Sequence, residues 1–302
     1  MDSVQFSFCL GVMGSLSVHE WNYENMAKVL TGRWKAAAKR YADNVYDVAL
    51  GLYHRDGEWY YWIDGDGKAA GLSLEQLLLM NRRFLRCQAI HIGRKFSEFG
   101  IKCSKKEIFT RLLPFMVQQP RSFRILAFYH ELNTQDTRMY FNYFLNCRGL
   151  GFQSLRLTYF GQETVDFLSK YLDHNVEHLY LDTAWPQSQS LEDLIVKFFS
   201  AGNKRRLVIM RSYVSSVANF GLTMSPKILK AICDAWDHSE TRNYFRIYVP
   251  WNSDLESVRC IPVPLNVTRT ESKEDDESRV VWTKENGSTL SFSFSLSWIS
   301  NT

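Results

Sequence analysis

The 302-residue sequence has no stretch approaching eighteen uninterrupted apolar residues, so no membrane-spanning helix is expected. Its start, Met1-Asp2-Ser3-Val4 onward, lacks a basic leader region and carries serines inside the apolar stretch, which argues against secretion. Six cysteines, Cys9, Cys87, Cys103, Cys147, Cys233 and Cys260, show no Cys-x-x-Cys spacing. Reduced, buried thiols in an intracellular protein, cytoplasmic or nuclear, are the expectation. On that basis the sequons at Asn266-Val267-Thr268 and Asn286-Gly287-Ser288 carry no glycan.

Chemistry-bearing motifs are equally scarce. His174-Asn175-Val176-Glu177-His178 puts two histidines four apart but lacks the glutamate that must follow the first, so it reads as a helix end. Asp64-Gly65-Asp66-Gly67-Lys68 sets a lysine where calcium needs an oxygen, and reads as a turn. His54-Arg55-Asp56 mimics a kinase catalytic loop without its Asn, glycine-rich loop or Asp-Phe-Gly. No nucleophile elbow, phosphate loop or dinucleotide fingerprint occurs. The expectations are no catalytic residues, no cofactor and no metal. The net charge of +4 is mild, and the basic clusters Arg82-Arg83 and Lys204-Arg205-Arg206 are short and far apart, which suits solvated helix ends and argues against nucleic acid as a partner.

What the chain does have is recurrence. An amphipathic helix, a break, and a strand written apolar, x, apolar come back over Leu72 to Ile92, Lys105 to Tyr129, Thr137 to Tyr159, Thr164 to Asp182, Leu191 to Met210 and Ile228 to Val249. Helical stripes include Val165, Leu168, Tyr171 and Leu172, then Leu191, Leu194, Ile195, Phe198 and Phe199. Strand spacings of roughly 24 to 38 residues predict stacked helix-strand repeats, a leucine-rich-repeat-like α/β array with a largely parallel curved sheet. Leu155 and Leu157, Leu179 and Leu181, Leu207 and Ile209, and Phe245 and Ile247 should face the helices. Arg156, Tyr180, Val208 and Arg246, with His91 in the first copy, then point the other way and form a partner-binding ladder of His91, Arg156, Tyr180 and Arg246. Arg124 to Tyr129 is apolar on both faces, so its register stays open.

Around the array, residues 1–44 read as a helical module, with Val4, Phe6, Phe8, Val12 and Leu16, then Met26, Val29 and Leu30, then Trp34 to Tyr41. Residues 45–71 read as a hairpin connector turning at Asp56-Gly57, residues 72–250 as the repeats, and residues 251–302 as a loop and capping hairpin. Within the last part, Glu271 to Glu277 reads as a solvated loop, and Val280 to Trp282, Asn286-Gly287 and Leu290 to Trp298 as the hairpin.

The stretch from Met1-Asp2-Ser3-Val4 to Trp34-Lys35-Ala36-Ala37-Ala38-Lys39-Arg40-Tyr41 resembles a divergent F-box, with Val4-Gln5 where that motif usually opens Leu-Pro. Leu179 to Pro186, Leu191 to Phe199 and Trp282 to Leu290 look like the F-box-associated regions of the large nematode F-box families. The resemblance implies a substrate receptor: Val4, Phe6, Phe8, Leu16 and Trp34 dock a Skp-type adaptor of a cullin-RING ubiquitin ligase, and the C-terminal region holds a target protein. The alternative is a repeat scaffold for protein-protein interaction with no ubiquitin link, in which those N-terminal residues pack against the repeats.

Overall fold

The computed structural model describes residues 4–16, 20–65, 71–94, 100–119, 125–147, 151–172, 176–201, 205–210, 221–238, 244–250, 255–274 and 277–295. Asp66, Gly67, Lys68, His174, Asn175, Lys204 and Trp298, all named from the sequence, lie outside the described residues. The protein is a mixed α/β chain with mostly parallel strand pairing, divided into two units, Met1–Leu132 and Asn133–Thr302.

The first unit begins with α1 (Phe6–Ser15), α2 (Glu20–Val29) and α3 (Gly32–Asn44), followed by β1 (Tyr46–Arg55) and β2 (Glu58–Gly65). The β1-β2 hairpin turns at Asp56 and Gly57, both at positive φ (52° and 82°), the geometry that a two-residue loop matching the strand twist demands. Next come α4 (Leu74–Leu79) and β3 (Leu85–Ile92). Ser73 accepts from the Gln76 N–H and Gln76 answers on the Ser73 N–H, so two orphan donors are satisfied at once. A three-residue strand, β4 (Ile101–Cys103), precedes α5 (Lys105–Glu107), a π-helical turn at Ile108–Leu112, α6 (Leu113–Val117) and β5 (Ile125–Phe128). The strand order is β5-β3-β1-β2-β4, with β1, β3 and β5 parallel and β2 and β4 antiparallel. In β5 Leu126, Ala127 and Phe128 are all buried, so alternation cannot set the register; pairing with β3 sets it, Leu126 opposite Ile90 and Phe128 opposite Ile92.

The second unit alternates helix and strand: α7 (Thr134–Asn146), β6 (Ser154–Leu157), α8 (Gln162–Tyr171), β7 (His178–Asp182), α9 (Gln189–Ser200), β8 (Arg206–Met210), α10 (Pro226–Asp237) and β9 (Tyr244–Pro250). Then come α11 (Leu255–Arg259), β10 (Val267–Glu274), β11 (Glu277–Lys284) and β12 (Thr289–Ser295). Asn133, Ser188 and Ser225 each accept a helix N3 N–H and cap α7, α9 and α10, contributing about 1 kcal/mol apiece. Strands β6, β7, β8 and β9 lie side by side, parallel and in chain order, as the long helix-bearing connections require. The strand apolar positions Leu155, Leu179, Leu207 and Ile247 are all fully buried. Helix aromatics complete that layer: Phe199 packs on Phe245 with centroids 5.5 Å apart, and Phe141 stacks on Phe167 at 4.4 Å.

Three expectations need correction. Glu271–Glu274 is not loop: it belongs to β10, whose backbone pairs residue for residue with β11, and its charges are those that keep an exposed edge strand from recruiting another chain. The closing hairpin β11–β12 is joined by β10 into a three-stranded meander and pairs parallel with β9, which makes β12 an interior strand: Phe292 and Phe294 are buried in the core, and the small Ser291 and Ser293 are buried on the other face, Ser291 beneath the longer Arg279. The thiols are all free, but only Cys9 and Cys87 are buried; Cys103 at the end of the short strand β4, Cys147 at the C-cap of α7 and Cys233 within α10 are half-buried, and Cys260, just past α11, is exposed.

Candidate functional site

Helical periodicity decides what the N-terminal residues do. In α1 the buried stripe is Cys9, Leu10 and Met13, which meets Tyr23 of α2 and Ala37, Ala38 and Tyr41 of α3. Val4, Phe6, Leu16 and Trp34 pack half-buried on the margin of that cluster. Phe8 falls on the opposite side of α1 and is 58% exposed, its ring edge-on to Trp34 with centroids 6.2 Å apart. The five N-terminal residues thus divide: Val4, Phe6, Leu16 and Trp34 lean on the core of the helical layer, and Phe8 alone faces solvent, touching Trp34 by its ring edge.

The second candidate surface is the polar face of the second unit's sheet. Residues directly opposite on neighbouring strands share a face. One row therefore runs Ser154, His178, Arg206, Arg246, Ser291, Val281, Thr270. The next runs Arg156, Tyr180, Val208, Tyr248, Ser293, Arg279, Ser272. The predicted Arg156 and Tyr180 are neighbours in one row. Arg246 shares their face but stands in the adjacent row, opposite Arg206, because β9 pairs two residues out of the expected offset. His91 belongs to the first unit, opposite Ala127, with its Nδ1 3.1 Å from the Tyr129 hydroxyl.

By sequence His178 and Arg206 read as helix ends and Tyr248 is not singled out; the structure puts His178 and Arg206 at the starts of β7 and β8, and stepping by two from Tyr180, Val208 and Arg246 reaches all three. The Arg206 guanidinium carbon lies 4.5 Å from the centroid of Tyr248 and 5.8 Å from that of Tyr180, an aromatic cradle for a cation. Ser154 Oγ is 3.1 Å from His178 Nδ1. Burial, then the charges of Arg206 and Arg246, hold the His178 imidazole below its ordinary pKa, with Glu177 opposing them. Arg279 donates through Nε to Ser291 Oγ at 3.0 Å.

At the C-terminal end of β7 the Asp182 carboxyl is pushed up to about 6, chiefly by burial, against hydrogen bonds from Thr158, the Ala184 N–H and Tyr159 and the charge of Arg156. Elsewhere partial burial raises two half-buried thiols, Cys103 to about 12 and Cys233 to about 11, so neither is thiolate near neutrality. Cys103 lines a cavity of about 150 Å³ with Tyr61, Glu75, Lys102 and Glu107. Its carboxylates are already engaged, Glu107 by Ser104 and Glu75 by Arg111 at 3.2 Å. No group of three or more His, Cys, Asp or Glu able to hold a metal ion occurs among the described residues. None of the described helices is long and apolar enough to cross a membrane.

Fold and surfaces together define a mixed α/β protein with mostly parallel sheet and two partly exposed side-chain constellations, in which Phe8, Arg246 and Arg279 are the exposed members. Compared with protein-family models, curated proteins and solved structures, the chain gives no match in any of the three.

Proposed function

We propose that the protein is a protein-recognition module, an F-box-like substrate receptor that links a target protein to a cullin-RING ubiquitin ligase. The observation that carries the reading is Phe8: a phenylalanine 58% exposed, its ring edge-on to Trp34, is a ready anchor for an adaptor, with Val4, Phe6, Leu16 and Trp34 packed on the core beneath the same helical layer. The target side falls to Arg156, Tyr180 and Arg246 on the second unit's sheet and, separately, to His91 on the first unit's, residue types that carry binding energy when a rigid sheet presents them. On this reading the protein works inside the cell and performs no chemistry of its own. Copurification of a Skp-type adaptor with the wild-type chain, lost in the Phe6→Ala/Phe8→Ala double variant with folding intact, is the expected result. Wild type that brings down no adaptor would sink the proposal.

One observation favours the second reading, a repeat scaffold without a ubiquitin link. Val4, Phe6, Leu16 and Trp34 lean on the core of their own helical layer. If Phe8→Ala leaves adaptor copurification unchanged and Phe6→Ala lowers the melting temperature, those residues are intramolecular.

A further inference from the structure

Charge on the polar face of the second unit is one-sided. The two central rows hold Arg156, Arg206, Arg246, Arg279 and His178 and not one carboxylate; among the described residues acids enter in the third row, as Asp182, Glu277 and Glu274. None of the ion pairs among the described residues involves Arg206, Arg246 or Arg279. Elsewhere on the same unit arginines are matched: Arg259 and Arg269 with Glu271, and Arg138 with Glu163. Arg206 is held instead by the rings of Tyr180 and Tyr248, which fix its position without neutralising it, and its Nε has no hydrogen-bond partner. Arg279 is fixed by a neutral hydroxyl, Ser291.

We infer that this face binds an acidic segment of a partner protein, a short extended run of glutamate or aspartate laid across strands β8, β9, β12 and β11. The inference rests on the protein-recognition reading and supplies the chemistry of the target. Neighbouring strands stand about 4.8 Å apart, so Arg206 to Arg279 spans about 15 Å, the reach of about five residues of extended chain at about 3.3 Å each. Guanidinium forks grip carboxylates bidentately, and fixing them beforehand lowers the ordering cost of binding. Single-stranded nucleic acid fits the face less well. It needs aromatic faces open for base stacking, whereas Arg206 covers Tyr248 and Tyr180, and it needs a longer cationic track than these rows provide.

The test uses the purified full chain and three labelled probes of matched length: a peptide alternating glutamate and serine, its glutamine analogue, and oligouridine. The acidic peptide should bind, weaken steeply with added salt, and lose about tenfold or more in affinity in the Arg206→Gln/Arg246→Gln variant. Its binding should raise the pKa of His178, read by proton NMR on the wild type, a measurement that needs no variant to fold. Equal binding of the glutamine analogue, an unmoved His178, or binding of oligouridine in preference to the acidic peptide would overturn the inference. Because no adaptor is present in this assay, its failure leaves adaptor copurification untouched, and the two readings fail separately.

Discussion

The guanidinium carbon of Arg86 lies 4.9 Å from the centroid of the Tyr23 ring, and its Nη2 donates to the Tyr23 hydroxyl and, at 3.3 Å, to the carbonyl of Leu16. Tyr23 in turn donates to the Met13 carbonyl at 2.9 Å and stacks on Tyr41, which packs on Phe84. One arginine of strand β3 therefore satisfies the chain between α1 and α2 and holds the helical layer onto its own sheet. Arg86→Ala should cost about 3 kcal/mol, the sum of a buried cation–π contact and hydrogen bonds from a charged group. Urea unfolding measures it, and a loss under about 0.5 kcal/mol would mean that water replaces the arginine.

Asp182 makes stability fall with pH. Its carboxyl titrates at about 6 in the fold against an ordinary value of 3.8, so the stabilising protonated form is fully present below about pH 4 and is lost as pH rises through about 6. Asp182→Asn imitates the protonated group. It should raise stability by about 2 kcal/mol at neutral pH and by almost nothing at about pH 4. Thermal melts at both pH values check the sign; an equal gain at both would remove the titration from the account.

Trp185 has no exposed surface and donates its indole N–H to the Leu157 carbonyl at 2.9 Å. Gly221 closes over it: a Cβ there would strike the Trp185 carbonyl oxygen and come within 3.0 Å of that of Thr183. Backbone cannot yield as a flexible side chain can, so Gly221→Ala should destabilise by about 2 kcal/mol or more. Gly151→Ala, with nothing within 4 Å of the new carbon, should be neutral or slightly stabilising. Indistinguishable melting temperatures for the two variants would contradict the packing described around Trp185.

Much of this was legible in residues such as Leu179 and Leu181, where period two and a preceding helical stripe identify a strand and its buried face. Asp56-Gly57 declared its turn because few other pairs accept positive φ twice. Strand β10 was hidden because Thr268 to Glu274 carries the charges of a loop, and an exposed edge strand tolerates them. Strand β4 is three residues long, too short for periodicity to register. The face of Arg246 was readable but its row was not: alternation tells which side a residue takes, while the offset between strands depends on the connection between them. That is why Arg206, cradled by two tyrosines, emerges only in three dimensions.

The most direct test of the central claim is calorimetry between the purified full chain and a purified Skp-type adaptor. The account predicts a one-to-one complex that Phe8→Ala weakens by about 2 kcal/mol, the value of an exposed aromatic anchor, while the melting temperature of the free variant stays within a degree or so of wild type. No heat of binding for the wild-type chain would contradict it.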